Sequence, residues 1–205
     1  AFARAHKDKP VFIYIHTMEP HVPYEPPRDR RHYSKKFRWK IMKKLFKHVA
    51  QSPTRPSLEN PTGEELDALK AMYKDQVVIA YEFFKEMKDR LERASILNSQ
   101  SLLIFTSDHG ERFYEHKSWI HGPPDVYNEV LRIPLMIKGP GITPGTYGQP
   151  AQLLDIYPTV VRWLGDTPGK HLLGSPLQET MTKKEPGIIY ADGVGEKPHF
   201  AFIKN

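Results

Sequence analysis

Ser101-Leu-Leu-Ile-Phe-Thr-Ser-Asp-His-Gly-Glu111 decides how this chain is read. Leu102–Phe105 is a short apolar run of the kind that forms a buried strand, and Thr106-Ser107 ends it. An acid, an imidazole and a glycine then arrive together as Asp108, His109 and Gly110. α/β enzymes build metal sites in this way, at the C-terminal ends of buried strands. A carboxylate oxygen beside an imidazole nitrogen suits Ca²⁺, Mg²⁺, Mn²⁺ or Zn²⁺, and the mixture leans away from a pure calcium cage. The plainer alternative is a polar turn in which Asp108 caps backbone amides.

The segments on either side extend the pattern. Upstream, Thr62 and Glu65 have capping-box spacing. Leu66, Leu69, Tyr73, Val77, Ala80, Phe84, Met87 and Leu91 then step by three and four, predicting a long helix that ends near Leu97-Asn98. Helix followed by buried strand is half of a parallel-sheet unit. Downstream, Ile133–Lys138 predicts a strand closed by Gly-Pro-Gly. Leu153–Leu164 predicts a helix stopped by Gly165, and Ile188–Ala191 with Phe200–Ile203 predicts a hairpin. Near the start, Pro10–Ile15 reads as a buried strand running into the proline-rich loop His16–Pro27. Phe37, Ile41, Leu45 and Val49 mark Lys35–Ala50 as a basic amphipathic helix, and Ser52–Pro61 reads as a linker.

Composition narrows the classes. The chain has 205 residues, 39% of them hydrophobic and 11% aromatic, enough for a folded core. No apolar run reaches bilayer length, and Ala1–Pro10 lacks the apolar centre of a signal peptide, so a soluble protein of undetermined compartment is expected. With no cysteine, disulfides, thiolate metal sites and a cysteine nucleophile are excluded within these residues. The net charge of +6 is concentrated: Arg28–Lys47 carries ten arginines and lysines against the single acid Asp29. Its helix either attracts an acidic surface or is a solvated insertion, and insertion is the reading adopted.

Two further histidines stand in candidate positions. His121, followed by Gly122, could contact an oxyanion or protonate a leaving oxygen, or be a surface-loop histidine. His21 lies in Glu19-Pro20-His21-Val22-Pro23-Tyr24, with the same two readings.

Taken in order, these blocks resemble the sulfatase family of the alkaline-phosphatase superfamily. Phe12–His16 with Glu19-Pro20-His21-Val22-Pro23-Tyr24 is similar to the family's strand and Asp-Pro-His-x-Pro-Tyr loop. Ser101–Glu111 resembles its metal-binding strand end. His121-Gly122, Tyr127-Asn128-Glu129, Leu131–Gly141, Leu154–Thr159 and Leu173–Leu177 continue the likeness. The resemblance implies an α/β/α sandwich with a mixed, mainly parallel sheet, of which residues 1–205 form one partial domain. The basic insertion would lie at about 35–50 and a small hairpin at about 186–205.

By the same resemblance, Asp108 and His109 are metal ligands, and His21 and His121 are catalytic residues at the sulfate or the leaving oxygen. His121 stands where many relatives carry lysine. Glu111, Arg132 and Asp155 match family positions and are read as structural. The implied metal is one divalent ion, Ca²⁺ foremost, with Mn²⁺ or Zn²⁺ as alternatives. The implied substrate is a small-molecule or glycan sulfate ester, with neither nucleic acid nor membrane expected as a partner. The family's paired acids and its formylglycine nucleophile, made within Cys/Ser-x-Pro-x-Arg, have no counterpart here. The chain is therefore expected to be the C-terminal half of the catalytic domain, needing an N-terminal half and inactive alone. Two alternatives stand. One is phosphodiester or phosphonate monoester hydrolysis, or phosphoethanolamine transfer; the other is a non-catalytic module that keeps the fold.

Overall fold

The computed structural model describes residues 9–31, 33–50, 60–121, 126–181, 188–193 and 199–204. Most of the predicted linker Ser52–Pro61 lies outside these residues, as does Gly122. In chain order the helices are α1 (Lys35–Ala50), α2 (Gly63–Arg93), α3 (Asn128–Leu131), α4 (Ile156–Trp163) and α5 (Leu177–Thr180). The strands are β1 (Leu103–Thr106), β2 (Leu135–Lys138), β3 (Ile188–Gly193) and β4 (His199–Lys204). The elements group into two compact units, Ala1–Leu102 with Arg112–Ile120, and Leu103–Glu111 with His121–Asn205.

The first unit is built on α1 and α2. α1 buries Ile41, Met42 and Leu45, and α2 buries Ala68, Leu69 and Met72. Tyr24, Trp119 and Ile120 complete this core. Tyr24 is fully buried, so the proline-rich loop carrying His21 is anchored through its last aromatic residue. α2 begins as its sequence predicts. The Thr62 hydroxyl accepts from the Glu65 amide at 3.2 Å, and the Glu65 carboxylate accepts from the Thr62 amide at 3.0 Å.

Glu65 has a second task. Its carboxylate also meets Lys44 at 2.8 Å and Lys40 at 3.2 Å, which ties the start of α2 to α1. Burial alone would raise its pKa. The hydrogen bonds from Lys44, the Thr62 amide and Lys40, with the Lys44 charge, outweigh that and lower it to about 2.

Three expectations are corrected here. α2 stops at Arg93, short of Leu97-Asn98, because Ser95 takes φ of 56° and the Ile96 and Leu97 amides turn back onto the Leu91 carbonyl. Its buried face runs through Glu65, Ala68, Leu69, Met72 and Gln76; Val77, Val78, Tyr81 and Phe83 are exposed. Of the predicted stripe, Leu69 is buried, Leu66 and Tyr73 pack against the core, Ala80, Phe84, Met87 and Leu91 are half-buried, and Val77 is the member that proves exposed. Finally, Pro10–Ile15 is not a strand: no ladder forms, and Phe12 is 84% exposed. A β-branched run becomes a strand only beside a partner, and none pairs with it among the described residues.

The second unit contains both ladders. β1 pairs with β2 in antiparallel register, Leu103 opposite Lys138 and Thr106 opposite Leu135. β3 and β4 form the predicted hairpin, Ile188 opposite Lys204 and Gly193 opposite His199. β1 is only partly buried, where a buried strand was expected. The parallel pairing expected of the sheet is absent among the described residues. A parallel step needs a crossover helix, and between β1 and β2 there is only the four-residue α3. The helix predicted over Leu153–Leu164 forms as a 3-10 turn (Leu153–Asp155) followed by α4, and Gly165 ends it with φ of 86°. Among the described residues, no helix is long and apolar enough to cross a membrane.

Candidate metal and oxyanion site

The site is assembled where β1 ends. Thr106 closes the strand by donating its hydroxyl to the Pro134 carbonyl at 2.9 Å, which fixes the strand end to the start of β2. Beyond it, the chain turns through Ser107, Asp108 and His109. Gly110 then passes so close to α3 that its amide donates to the Val130 carbonyl at 2.7 Å. A Cβ on Gly110 would lie 2.2 Å from the Glu129 carbonyl oxygen. Glycine is required here by close approach of two backbones.

Asp108 and His109 lie side by side at this turn. The Asp108 side chain is 71% exposed, and its Oδ1 accepts the His109 amide at 3.0 Å. His109 places Nδ1 2.8 Å from the Gly110 carbonyl oxygen. A carbonyl only accepts, so Nδ1 carries the hydrogen and Nε2 keeps its lone pair. That nitrogen lies 3.8 Å from Asp108 Oδ1. A hard oxygen and an imidazole nitrogen are donor types that a divalent cation accepts. Among the described residues, no group of three or more histidines and acids completes a ligand set.

His121 is brought directly to this pair. Its ring lies against His109, with centroids 3.8 Å apart and planes tilted by 33°. Nδ1 is 3.0 Å from Glu111 Oε1, and the Glu111 side chain is only 7% exposed. The carboxylate accepts from Nδ1–H and orients the ring. Sequence reasoning had treated Glu111 as structural and so missed this contact. Its nearness to His109 in the chain was the available signal, but His121 lies ten positions further on.

His21 belongs to the first unit. It is exposed, its amide donates to the Met18 carbonyl at 2.7 Å, and its Nδ1 lies 2.6 Å from the Val22 carbonyl oxygen. Asp155 is built quite differently. Buried, it accepts from the amides of Gln152 at 2.9 Å and Ser175 at 2.8 Å, while its own carbonyl accepts from the Thr159 hydroxyl at 2.6 Å. Those bonds account for a structural role.

Comparisons with known proteins bear on the family and the fold. The family model described as Sulfatase matches residues 1–166. A choline-sulfatase of Rhizobium meliloti is 38% identical over 80 residues, covering 39% of this chain and 15% of its own. The uncharacterized sulfatase YidJ of Escherichia coli is 25% identical over 211 residues, covering 97% of this chain and 40% of its own. A protein solved in complex with its substrate D-glucosamine-2-N,6-O-disulfate superposes with a TM-score of 0.59 at 17% identity, over 82% of this chain and 36% of that one. A phosphonate monoester hydrolase from Silicibacter pomeroyi gives 0.57 at 23% identity, over 82% and 33%. The chain thus spans well under half the length of these relatives. The α/β fold expected from the sequence is the fold of both solved neighbours, and with its family match over residues 1–166 this chain belongs to the sulfatase family.

Proposed function

We propose that this chain supplies part of the active site of a metal-dependent sulfuric ester hydrolase. The observation that carries the reading is the convergence of Asp108 Oδ1 and His109 Nε2 within 3.8 Å at the end of β1, with His121 packed beside them. Asp108 and His109 would hold one divalent ion, Ca²⁺ foremost, with Mn²⁺ or Zn²⁺ as alternatives. Bound there, the ion supplies positive charge against the non-bridging oxygens of the ester.

The chain's own residues do the rest of their share with protons and position. Glu111 fixes Nδ1–H of His121, so a protonated Nε2 can donate to the departing oxygen. His21 is assigned to the sulfate oxygens or the same leaving oxygen. The 205 residues contain no cysteine, so a formylglycine derived from cysteine would come from outside them. The choline-sulfatase and YidJ similarities support sulfate over other esters. A second reading, phosphonate or phosphodiester hydrolysis, is favoured by the phosphonate monoester hydrolase neighbour.

Two measurements test the proposal. Titration of the 205-residue chain with Ca²⁺ and Mn²⁺ should show a single site that Asp108→Ala abolishes; equal binding by the variant would exclude Asp108 as a ligand. In a complete enzyme carrying this chain, an aryl sulfate should turn over in preference to an aryl phosphonate monoester. Asp108→Ala should lower that rate by about a thousandfold. A preference for the phosphonate would transfer the assignment to the second reading.

A further inference from the structure

The outward face of α1 plays no part in the site above, and it is unusual for a solvated helix. The helix uses its apolar stripe inside the protein: Ile41, Met42 and Leu45 are buried, and Phe37 packs against the same core. Two large aromatic residues nevertheless remain on the other side, Trp39 at 68% exposure and Phe46 at 46%. They are seven residues apart, so at about 100° and 1.5 Å per residue they fall on one line, roughly 10 Å apart. Lys35 lies on this line as well. Lys36, Lys43 and Lys47, all exposed, form a neighbouring row about 16 Å long by the same rise. No acid occurs anywhere in Lys35–Ala50. An open hollow of about 570 Å³ lies against Lys35, Lys36 and Trp39.

We infer that this face of α1 is a docking surface for a sulfated polysaccharide, separate from the Asp108–His109 end of β1. Charge selects a polyanion, since a row of lysines without acids attracts repeated negative groups and is screened by salt. The exposed rings select among polyanions. Each aromatic stands among lysines, so a sugar ring can lie on the indole while its sulfates meet ammonium groups on either side. A bilayer fits less well, because a helix that lies on a membrane inserts its apolar stripe, and α1 has already buried that stripe in its own core. Single-stranded nucleic acid would use the same lysines and rings. Choosing a sulfated glycan over it rests on the sulfate-ester reading given above.

The test is binding by the full 205-residue chain, read without turnover. Immobilised heparin, the same polysaccharide after chemical desulfation, a single-stranded oligonucleotide, and vesicles rich in phosphatidylserine are compared at one salt concentration. Heparin should bind best, weaken steeply with salt, and lose its affinity on desulfation. Replacing Lys35, Lys36, Lys43 and Lys47 together by glutamine should weaken it more than about tenfold. Trp39→Ala should weaken it severalfold with the salt slope unchanged, which separates stacking from charge. All five positions are exposed, and an unchanged thermal midpoint shows that the variants fold.

Equal binding by the glutamine variant, or tighter binding to the oligonucleotide or the vesicles, overturns the inference. Its failure is distinct from failure of the catalytic reading. A complete enzyme that cleaves an aryl sulfate, from a chain that ignores heparin, removes only the docking surface. Lysine-dependent heparin binding with no sulfate-ester turnover leaves the surface standing and removes the catalytic proposal.

Discussion

Asp108 and Asp155 lie in the same compact unit, one beyond the end of β1 and the other in the turn before α4, and their surroundings could hardly differ more. Asp155 is 5% exposed, and each of its oxygens accepts a backbone amide. Asp108 is 71% exposed at its side chain, and it meets the amide and the ring nitrogen of the residue beside it. A carboxylate whose lone pairs are taken by amides can hold loops together but has little left for a ligand. One that stands open beside an oriented imidazole contributes little to folding and is available for chemistry. Two acids that look alike in the sequence therefore separate by how fully their oxygens are satisfied.

That contrast can be tested by mutation. The largest stability effect is expected at the closed acid. Asp155→Ala removes a buried carboxylate and leaves two partly buried bonds unmade, which should cost about 3 kcal/mol or more, read as a drop in chemical-denaturation midpoint. A loss under 1 kcal/mol would remove the structural assignment. Glu65, the equivalent closed acid of the first unit, should act through pH. Its carboxyl sits at about 2 in the folded chain against an ordinary value near 4.5. The folded value is lowered, so the stabilisation is complete above the ordinary value and fades as pH falls towards about 2. The linkage is about 3 kcal/mol. Unfolding curves of wild type and Glu65→Gln should differ most at neutral pH and converge near pH 2; parallel curves throughout would contradict it. Smallest is the open acid: Asp108→Asn should shift stability by no more than about 0.5 kcal/mol. It should still erase any rise in thermal midpoint produced by Ca²⁺ or Mn²⁺. A large loss of stability without metal would place Asp108 in the same class as Asp155.

Local rules made much of this legible beforehand. The Thr62–Glu65 capping box, the helix Lys35–Ala50, the Gly165 stop and the β3–β4 hairpin all depend on neighbours within a few residues, and all are found. The strand end with Asp108 and His109 was readable for the same reason. What failed depended on distant partners. Pro10–Ile15 has strand composition but no ladder among the described residues, and Val77 falls on the apolar stripe of α2 yet is exposed. The Glu111–His121 contact joins residues across a loop, so no spacing rule announced it. Gly110 is constrained by the Glu129 carbonyl oxygen, a neighbour nineteen positions on that no local pattern names.

The far half of α2 has a practical consequence. Val77, Val78, Tyr81 and Phe83 are all exposed, and Phe12 and Tyr14 are exposed as well. Surfaces of this kind make self-association depend on concentration. The purified chain should therefore be weighed at several dilutions by sedimentation before any affinity is quoted, because an avidity created by clustering would otherwise pass for a property of one molecule.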